Sequence, residues 1–430
     1  MLYKNLAVKD GKLTFCDYDT TALARQFGTP LMVMDEALIR SRCRVYREAM
    51  EKYLPAGSKP LYASKALSIR RMYQIMTEEN MGVDVVSIGE LYTAVHAGFP
   101  AGNAFFHGNS KTDRDIRFSM EQGIGCIVCD NSQELDAIGE IAAEKGLRQK
   151  VMLRLTPGID PHTHEKINTG RIDCKFGAPI ETGQAEQLVL QALSIPSVEL
   201  IGYHCHIGSQ IFVSDPFREA ATLMLEFAAQ IRNDHGYSPA YLNLGGGMGV
   251  PYVASDGSID YAQTIAEVGQ LIDELCRRLA LTPPAILMEP GRSIVADAGI
   301  TLYTVTGTKQ IPGFRSYVAV DGGMSDNPRY TLYEAQYTIH NASRIEEADD
   351  GLWTVAGCCC ESGDLIQEGV PLPMSQRGDI LAVLTTGAYN YSMASNYNRV
   401  PRPPVVMLGE NGPYIAVRRE TLADLLTCDQ

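Results

Sequence analysis

Between Pro60 and Arg292, short runs of apolar residues recur, each closing on polar or glycine-rich positions. They are PLYASK ending at Lys65, GVDVVS at Ser87, AFFHGN at Asn109 and CIVCDN at Asn131. KVMLRLTP ends at Pro157, LIGYHCHIGS at Ser209, YLNLGGG at Gly247 and AILMEPGR at Arg292. Runs that are apolar on both faces suit strands of a buried parallel sheet. Between them, apolar positions fall at helical spacing: Ile69, Met72, Ile75 and Met76 within 68–80, and Leu135, Ile138, Ile141 and Ala142 within 132–145. Segments 216–234 and 261–279 read the same way. Eight strands alternating with helices over about 250 residues predict an α/β fold, a (β/α)8 TIM-like barrel. An open doubly wound sheet rarely needs eight units.

Beyond about residue 297 the pattern changes. ITLYTVTGTKQI, RSYVAVDGG, LWTVAGC, DILAVLTTG and YIAVRR read as strands with few helices between them. They predict a C-terminal all-β domain. The N-terminal LAVKDGKLTF has a hairpin pattern with Asp10-Gly11 at its turn. The expected organisation is therefore 1–30 as N-terminal strands packing on the β domain, 31–296 as the barrel and 297–430 as the β domain.

With 51 acidic against 37 basic residues, the chain carries a net charge of −14, which disfavours nucleic acid and anionic membranes as partners. The eleven cysteines match neither a paired framework nor a Cys-x-x-Cys zinc pattern, so reduced thiols in a cytoplasmic protein are expected, with no metal. The N-terminus lacks the apolar stretch of a signal peptide, and no apolar run is long enough to span a bilayer.

Chemistry in such barrels gathers at the C-terminal ends of the strands. There the sequence places Lys65, Asp84, His107, Asn109, Arg154, His206, Ser209, Gly245–Gly247, Glu289 and Arg292. Taken singly, each has a plain structural account: a snorkelling lysine, a tight glycine turn, a core histidine. Together they supply an amine whose desolvation would make it nucleophilic, glycine-rich backbone for a phosphate, a flat imidazole ring and a carboxylate. Pyridoxal 5′-phosphate requires that set: a Schiff-base lysine, phosphate donors, a stacking ring and an acidic partner for the pyridine nitrogen.

YASKAL, HIGSQ, NLGGGMG and EPGRS resemble the barrel motifs of the alanine-racemase-fold (fold type III) pyridoxal-phosphate enzymes. GTPLMVMDEALIR, NTGRIDCKFG at 168–177, NPRYTLY at 327–333, CESGD at 360–364 and GAYNYSMASNYN at 387–398 resemble the diaminopimelate decarboxylase family within that group. The resemblance spans nearly the whole chain, with the motifs in the family's order.

It implies that Lys65 carries the cofactor, with Asp84 behind it, and that His206 stacks on the ring. Ser209, Gly247 and the turn of Glu289, Pro290, Gly291 and Arg292 would hold the phosphate, and Glu289 the pyridine nitrogen. Arg292, Arg329 and Tyr333 would hold the substrate's far carboxylate, Glu361 its far ammonium, and Tyr389 would lie near phosphate and substrate. The family pairs its subunits head to tail, so a homodimer is implied in which Cys360 and Glu361 reach the partner's site. Two departures stand out: Ala66-Leu67 replaces a more polar stretch after the lysine, and Cys358-Cys359 is an unusual doublet.

The expected reaction is decarboxylation of meso-2,6-diaminopimelate to L-lysine, with Cys360 as candidate acid. Arginines for a carboxylate beside Glu361 for an amine match an amino-acid centre at the far end. The alternative is a decarboxylase for D-lysine, D-ornithine, carboxynorspermidine, ornithine or arginine. A racemase of the same fold would place arginine, not Glu289, at the pyridine nitrogen, and a cofactor carrier would lack the β domain. Within CCCESGD, Cys358 and Cys359 are expected to finish a strand as small buried hydrophobes, leaving Cys360 and Glu361 to begin a functional loop.

Overall fold

The computed structural model of the chain describes residues 4–159 and 174–430. They divide into two compact units: Arg40–Gly249 with Ser258–Gly291, and the residues up to Ile39 with Val250–Gly257 and Arg292–Gln430.

The first unit is a closed parallel barrel of eight strands: β1 (Lys59–Ala63), β2 (Gly82–Val85), β3 (Ala104–Phe106), β4 (Cys126–Cys129), β5 (Gln149–Thr156), β6 (Val198–His204), β7 (Tyr241–Asn243) and β8 (Ala285–Met288). Leu287 of β8 lies opposite Lys59 of β1, which closes the ring. Each of the eight strands overlaps one of the eight apolar runs, with three of them beginning one or two residues earlier. Leu61, Phe105, Cys126, Val128, Met152, Ile201 and Leu287 cluster as a buried core.

Helices follow the strands, and their starts are chemically marked. Asn131 caps Ser132–Glu144 by accepting the N–H of Glu134 at 2.9 Å, and Asp260 caps Tyr261–Arg278 through Gln263 at 3.0 Å. The latter helix buries Ile265, Val268, Ile272 and Leu275, each contributing roughly 1.5–3 kcal/mol if fully removed from water. Helix Glu36–Tyr53 precedes β1, and its part within this unit packs on Tyr261–Arg278, with the rings of Tyr46 and Tyr261 stacked 5.4 Å apart. No helical reading of the sequence had covered that stretch.

In the second unit, strand Gly299–Ile311 pairs with Leu31–Asp35, Ile380–Leu384 and Arg315–Val320. The hairpin Leu6–Lys9 and Lys12–Phe15 turns at Asp10 (φ 48°) and Gly11 (φ 70°), the left-handed pair that a two-residue loop demands. Leu6, Leu13 and Phe15 share a core with Leu31, Val33, Ile300, Leu302, Ala382 and Val406. Residues 31–39, 250–257 and 292–296 group with the β unit, not with the barrel range of 31–296. For the first of these the reason is strand pairing: Val33 faces both Ile300 and Val406. Among the described residues, no helix is long and apolar enough to cross a membrane.

Candidate active site

Lys65 sits in a single 3-10 turn, Ser64–Ala66, at the end of β1 and is partly buried. The N–H of Ala63 donates to the carbonyl of Pro290 at 3.1 Å, tying this turn to the loop after β8. Asp84, on β2, is buried and its Oδ1 has no hydrogen-bond partner. Burial pushes its carboxyl pKa up, with Glu289 adding to the rise and His107 opposing it.

Glu289 follows β8 at the centre of this rim and is buried. Its Oε1 accepts from Asn243 Nδ2 at 2.7 Å, and its Oε2 lies 3.4 Å from His204 Nε2. His107 Nε2 stands 3.1 Å from Oε1, in ion-pair range but off a hydrogen-bonding direction. Burial works against ionisation of this carboxyl, yet the two imidazoles prevail and hold it well below the usual range. His204 itself is lowered to about 4 by burial, so it is neutral at pH 7 and carries one N–H. Glu289 can take that proton's hydrogen bond at Nε2, while the buried Nδ1 goes without a partner.

The loops after β6 and β7 interlock. Gly246 N–H donates to Nδ1 of His206 at 3.2 Å, and Gly245 N–H to Oδ1 of Asn243 at 2.9 Å. His206 therefore accepts at Nδ1, and burial together with Lys65 holds its pKa well below 6.5, so the ring stays neutral. A Cβ on Gly246 would lie 2.0 Å from the carbonyl oxygen of Glu289, and Gly247 has φ +125°. No side chain fits the first position, and the second is strained for any other residue.

This rim suits pyridoxal phosphate on structural grounds. It offers a partly buried amine, a buried carboxylate held ionised, a neutral imidazole with a fixed tautomer and an unmatched buried Asp84 oxygen. Of the three glycines, Gly245 and Gly246 spend their N–H groups internally. Ser209 lies in the loop that carries His206, and Pro290 and Gly291 complete the loop after β8.

The β unit holds a second cluster. Arg292 and Arg329 are both buried. Arg292 Nη1 donates to Tyr252 Oη at 2.7 Å, and Arg329 Nη1 to Tyr337 Oη at 3.2 Å. The guanidinium of Arg329 stacks 4.8 Å over the Tyr252 ring, and that of Arg292 4.8 Å over Tyr389. Tyr252 thus spaces the two cations. Tyr389 keeps a left-handed φ of +61°. Tyr333 closes the short helix Arg329–Tyr333 and is partly exposed. Among the described residues, Arg329 forms no salt bridge, so a buried cation here is matched only by phenol oxygens and rings.

CCCESGD divides differently from the expectation. Strand Leu352–Ala356 ends before the triplet, and Cys358 is exposed; only Cys359 is buried. The strand stops because Gly357 and the cysteines bend around the carboxylate of Asp364, which accepts the N–H of Cys359 at 2.6 Å. Cys360 and Glu361 are exposed on the resulting loop. Of the motif at 168–177, residues 168–173 lie outside the described residues.

Sequence reasoning passed over His204, Asn243, Tyr252, Tyr337 and Asp364. Asn243 carried a faint signal, two residues before the glycine run, where a short polar side chain can reach back to a backbone N–H. Tyr252 and Tyr337 carried none, since neither lies in a motif or at the polar end of an apolar run.

Comparison with known proteins agrees with this geometry. Residues 36–296 match the family described as "Pyridoxal-dependent decarboxylase, pyridoxal binding domain". The diaminopimelate decarboxylase of Bacillus subtilis (strain 168) is 45% identical over 421 residues, covering 97% of this chain and 95% of that protein. That of Staphylococcus aureus (strain COL) is 42% identical, covering 98% of each. A crystal structure of the M. jannaschii enzyme with L-lysine superposes with a TM-score of 0.90 at 34% identity, covering 99% of this chain and 98% of that one. The Helicobacter pylori enzyme with L-lysine gives 0.85 at 30% identity, covering 95% and 98%. On the barrel, the rim and these near end-to-end matches, the chain belongs to the diaminopimelate decarboxylase family of pyridoxal-dependent decarboxylases.

Proposed function

We propose that this enzyme decarboxylates meso-2,6-diaminopimelate to L-lysine and carbon dioxide with pyridoxal 5′-phosphate, the last step of lysine biosynthesis. The observation that carries the substrate reading is the buried arginine pair spaced by Tyr252. A guanidinium matches a carboxylate bidentately, and a diamino acid lacking the far carboxylate would leave a buried cation unmatched, a loss of several kcal/mol.

The bound cofactor supplies an electron sink for the pair left on the α-carbon as carbon dioxide departs. Lys65 would hold it by its amine, with Asp84 behind. His206 would face its ring, and Glu289 would keep its pyridine nitrogen protonated. Ser209, Gly247, Tyr389 and the turn from Glu289 through Pro290 and Gly291 to Arg292 are assigned to its phosphate. Arg292, Arg329 and Tyr333 are assigned to the distal carboxylate, Glu361 to the distal ammonium, and the Sγ of Cys360 to proton delivery at the α-carbon. The ionised Glu289 and the neutral His206 support these roles.

Carbon dioxide release from meso-diaminopimelate, lysine, ornithine and arginine tests the substrate. Release from the first alone is expected, and release from ornithine without diaminopimelate overturns the reading.

A homodimer with shared sites is part of the proposal; the exposure of Cys360 and Glu361 on an anchored loop supports it. Mixing inactive Lys65→Ala and Cys360→Ala subunits should then restore about a quarter of wild-type activity, the statistical yield of one intact site per mixed dimer. No recovery after confirmed subunit exchange refutes sharing. A cytoplasmic location accords with eleven cysteines that form no disulfide among the described residues.

A further inference from the structure

The carboxylate of Asp364 is shared between two segments of the β unit. One oxygen accepts the N–H of Met324 at 2.6 Å, and the other accepts the N–H of Cys359 at 2.6 Å. Met324 lies on the stretch leading into Arg329–Tyr333; Cys359 precedes Cys360 and Glu361. Two glycines make room for the arrangement. A Cβ on Gly357 would stand 2.2 Å from Asp364 Oδ1, and one on Gly323 2.4 Å. The Asp364 backbone closes the same loop, accepting from Gly357 N–H at 2.9 Å and donating to the Glu361 carbonyl at 3.0 Å.

Cys360 has an anchor of its own. Its N–H donates to Oδ1 of Asn398 at 2.6 Å. Asn398 holds a left-handed φ of +50°, which asparagine tolerates better than most residues. Ser395 N–H donates to the Ser325 carbonyl at 2.8 Å, so the Asn398 segment is bound to the Met324 segment as well. Three stretches of chain thus meet around one exposed thiol.

We propose that Asp364 and Asn398 are positioning residues for Cys360, and that Asp364, through Met324, sets the Arg329 segment in the same frame. An exposed loop has little apolar packing to hold it, so its place depends on its hydrogen bonds. Bonds to an ionised carboxylate are the strong ones. A proton donor displaced by an ångström loses much of its rate advantage. The inference rests on Cys360 acting in turnover and Arg329 in substrate binding.

The test uses holoenzyme, with kcat and KM for meso-diaminopimelate measured beside the visible absorption of the bound cofactor. Cys360→Ala is the benchmark and should lower kcat about 100-fold. Asn398→Ala should lower kcat about tenfold at unchanged KM. Asn398→Asp keeps the acceptor oxygen and should restore it. Asp364→Asn leaves one N–H unmatched and should lower kcat and raise KM, each about tenfold, with the absorption unchanged. If that variant fails to fold, the Asn398 pair decides the proposal. A folded Asn398→Ala with wild-type kcat, or an Asn398→Asp no faster than it, overturns the positioning role even where Cys360→Ala is inactive. An Asp364→Asn enzyme with unchanged KM removes the shared frame. Wild-type turnover by Cys360→Ala overturns the acid assignment and the positioning proposal together.

Discussion

Asn243 donates from Nδ2 to Oε1 of Glu289 at 2.7 Å, while its own Oδ1 accepts the N–H of Gly245 at 2.9 Å. One buried amide therefore joins the carboxylate assigned to the cofactor's pyridine nitrogen to the glycine run assigned to its phosphate. Asn243→Ala leaves a buried carboxylate short of a donor and a glycine N–H short of an acceptor, a loss of about 1–3 kcal/mol at each. We expect pyridoxal-phosphate affinity to fall at least tenfold, read by titrating the apoenzyme and following visible absorption.

A smaller change in the same loop should be as severe. Gly246→Ala would put a methyl group 2.0 Å from the Glu289 carbonyl oxygen, so the loops after β7 and β8 must part. Gly307→Ala, with nothing near its added carbon, is the control. The first variant should lose cofactor absorption and the second keep it.

Arg329→Lys replaces a planar fork by a point charge, losing the stack on Tyr252 and the bond to Tyr337. KM for diaminopimelate should rise about 100-fold, a cost of roughly 3 kcal/mol, with a smaller effect on kcat. Steady-state kinetics separate the two. A rise in KM of less than twofold argues against Arg329 as a carboxylate ligand.

Asp326 gives the β unit a pH dependence. It is buried, bonds to Tyr303 Oη at 2.5 Å, and burial raises its pKa from 3.8 to about 7. The native state keeps a proton that the unfolded chain gives up between pH 4 and 7. Stability from this group therefore falls as pH rises through that window and levels above it, by an amount on the order of a few kcal/mol. Asp326→Asn stays neutral throughout. Urea unfolding at pH 5 and pH 8 should show a smaller difference for the variant than for the parent.

The barrel was legible because its strands are buried on both faces and its helices on one, and each condition leaves its own period in the chain. The rim was legible because polar residues at the ends of apolar runs have few structural reasons to be there. Lys65, His206, Gly247 and Glu289 stood out on that ground. Leu31–Asp35 did not, since a strand shows its burial but not its partner.

Periodicity and motif order thus determined the fold class, the cofactor and the substrate class. Only the tertiary structure decided which side chains serve the rim residues. The bonds of Asn243 to Glu289 and of Tyr252 to Arg292 cross 46 and 40 positions of chain, and Asp364 reaches Met324 across 40. Such contacts have no local period, because they depend on where separate loops arrive in space. Cys358 shows the same limit at short range. A strand that looks ready to continue through the cysteines ends at Ala356, where the chain wraps a buried carboxylate supplied farther along.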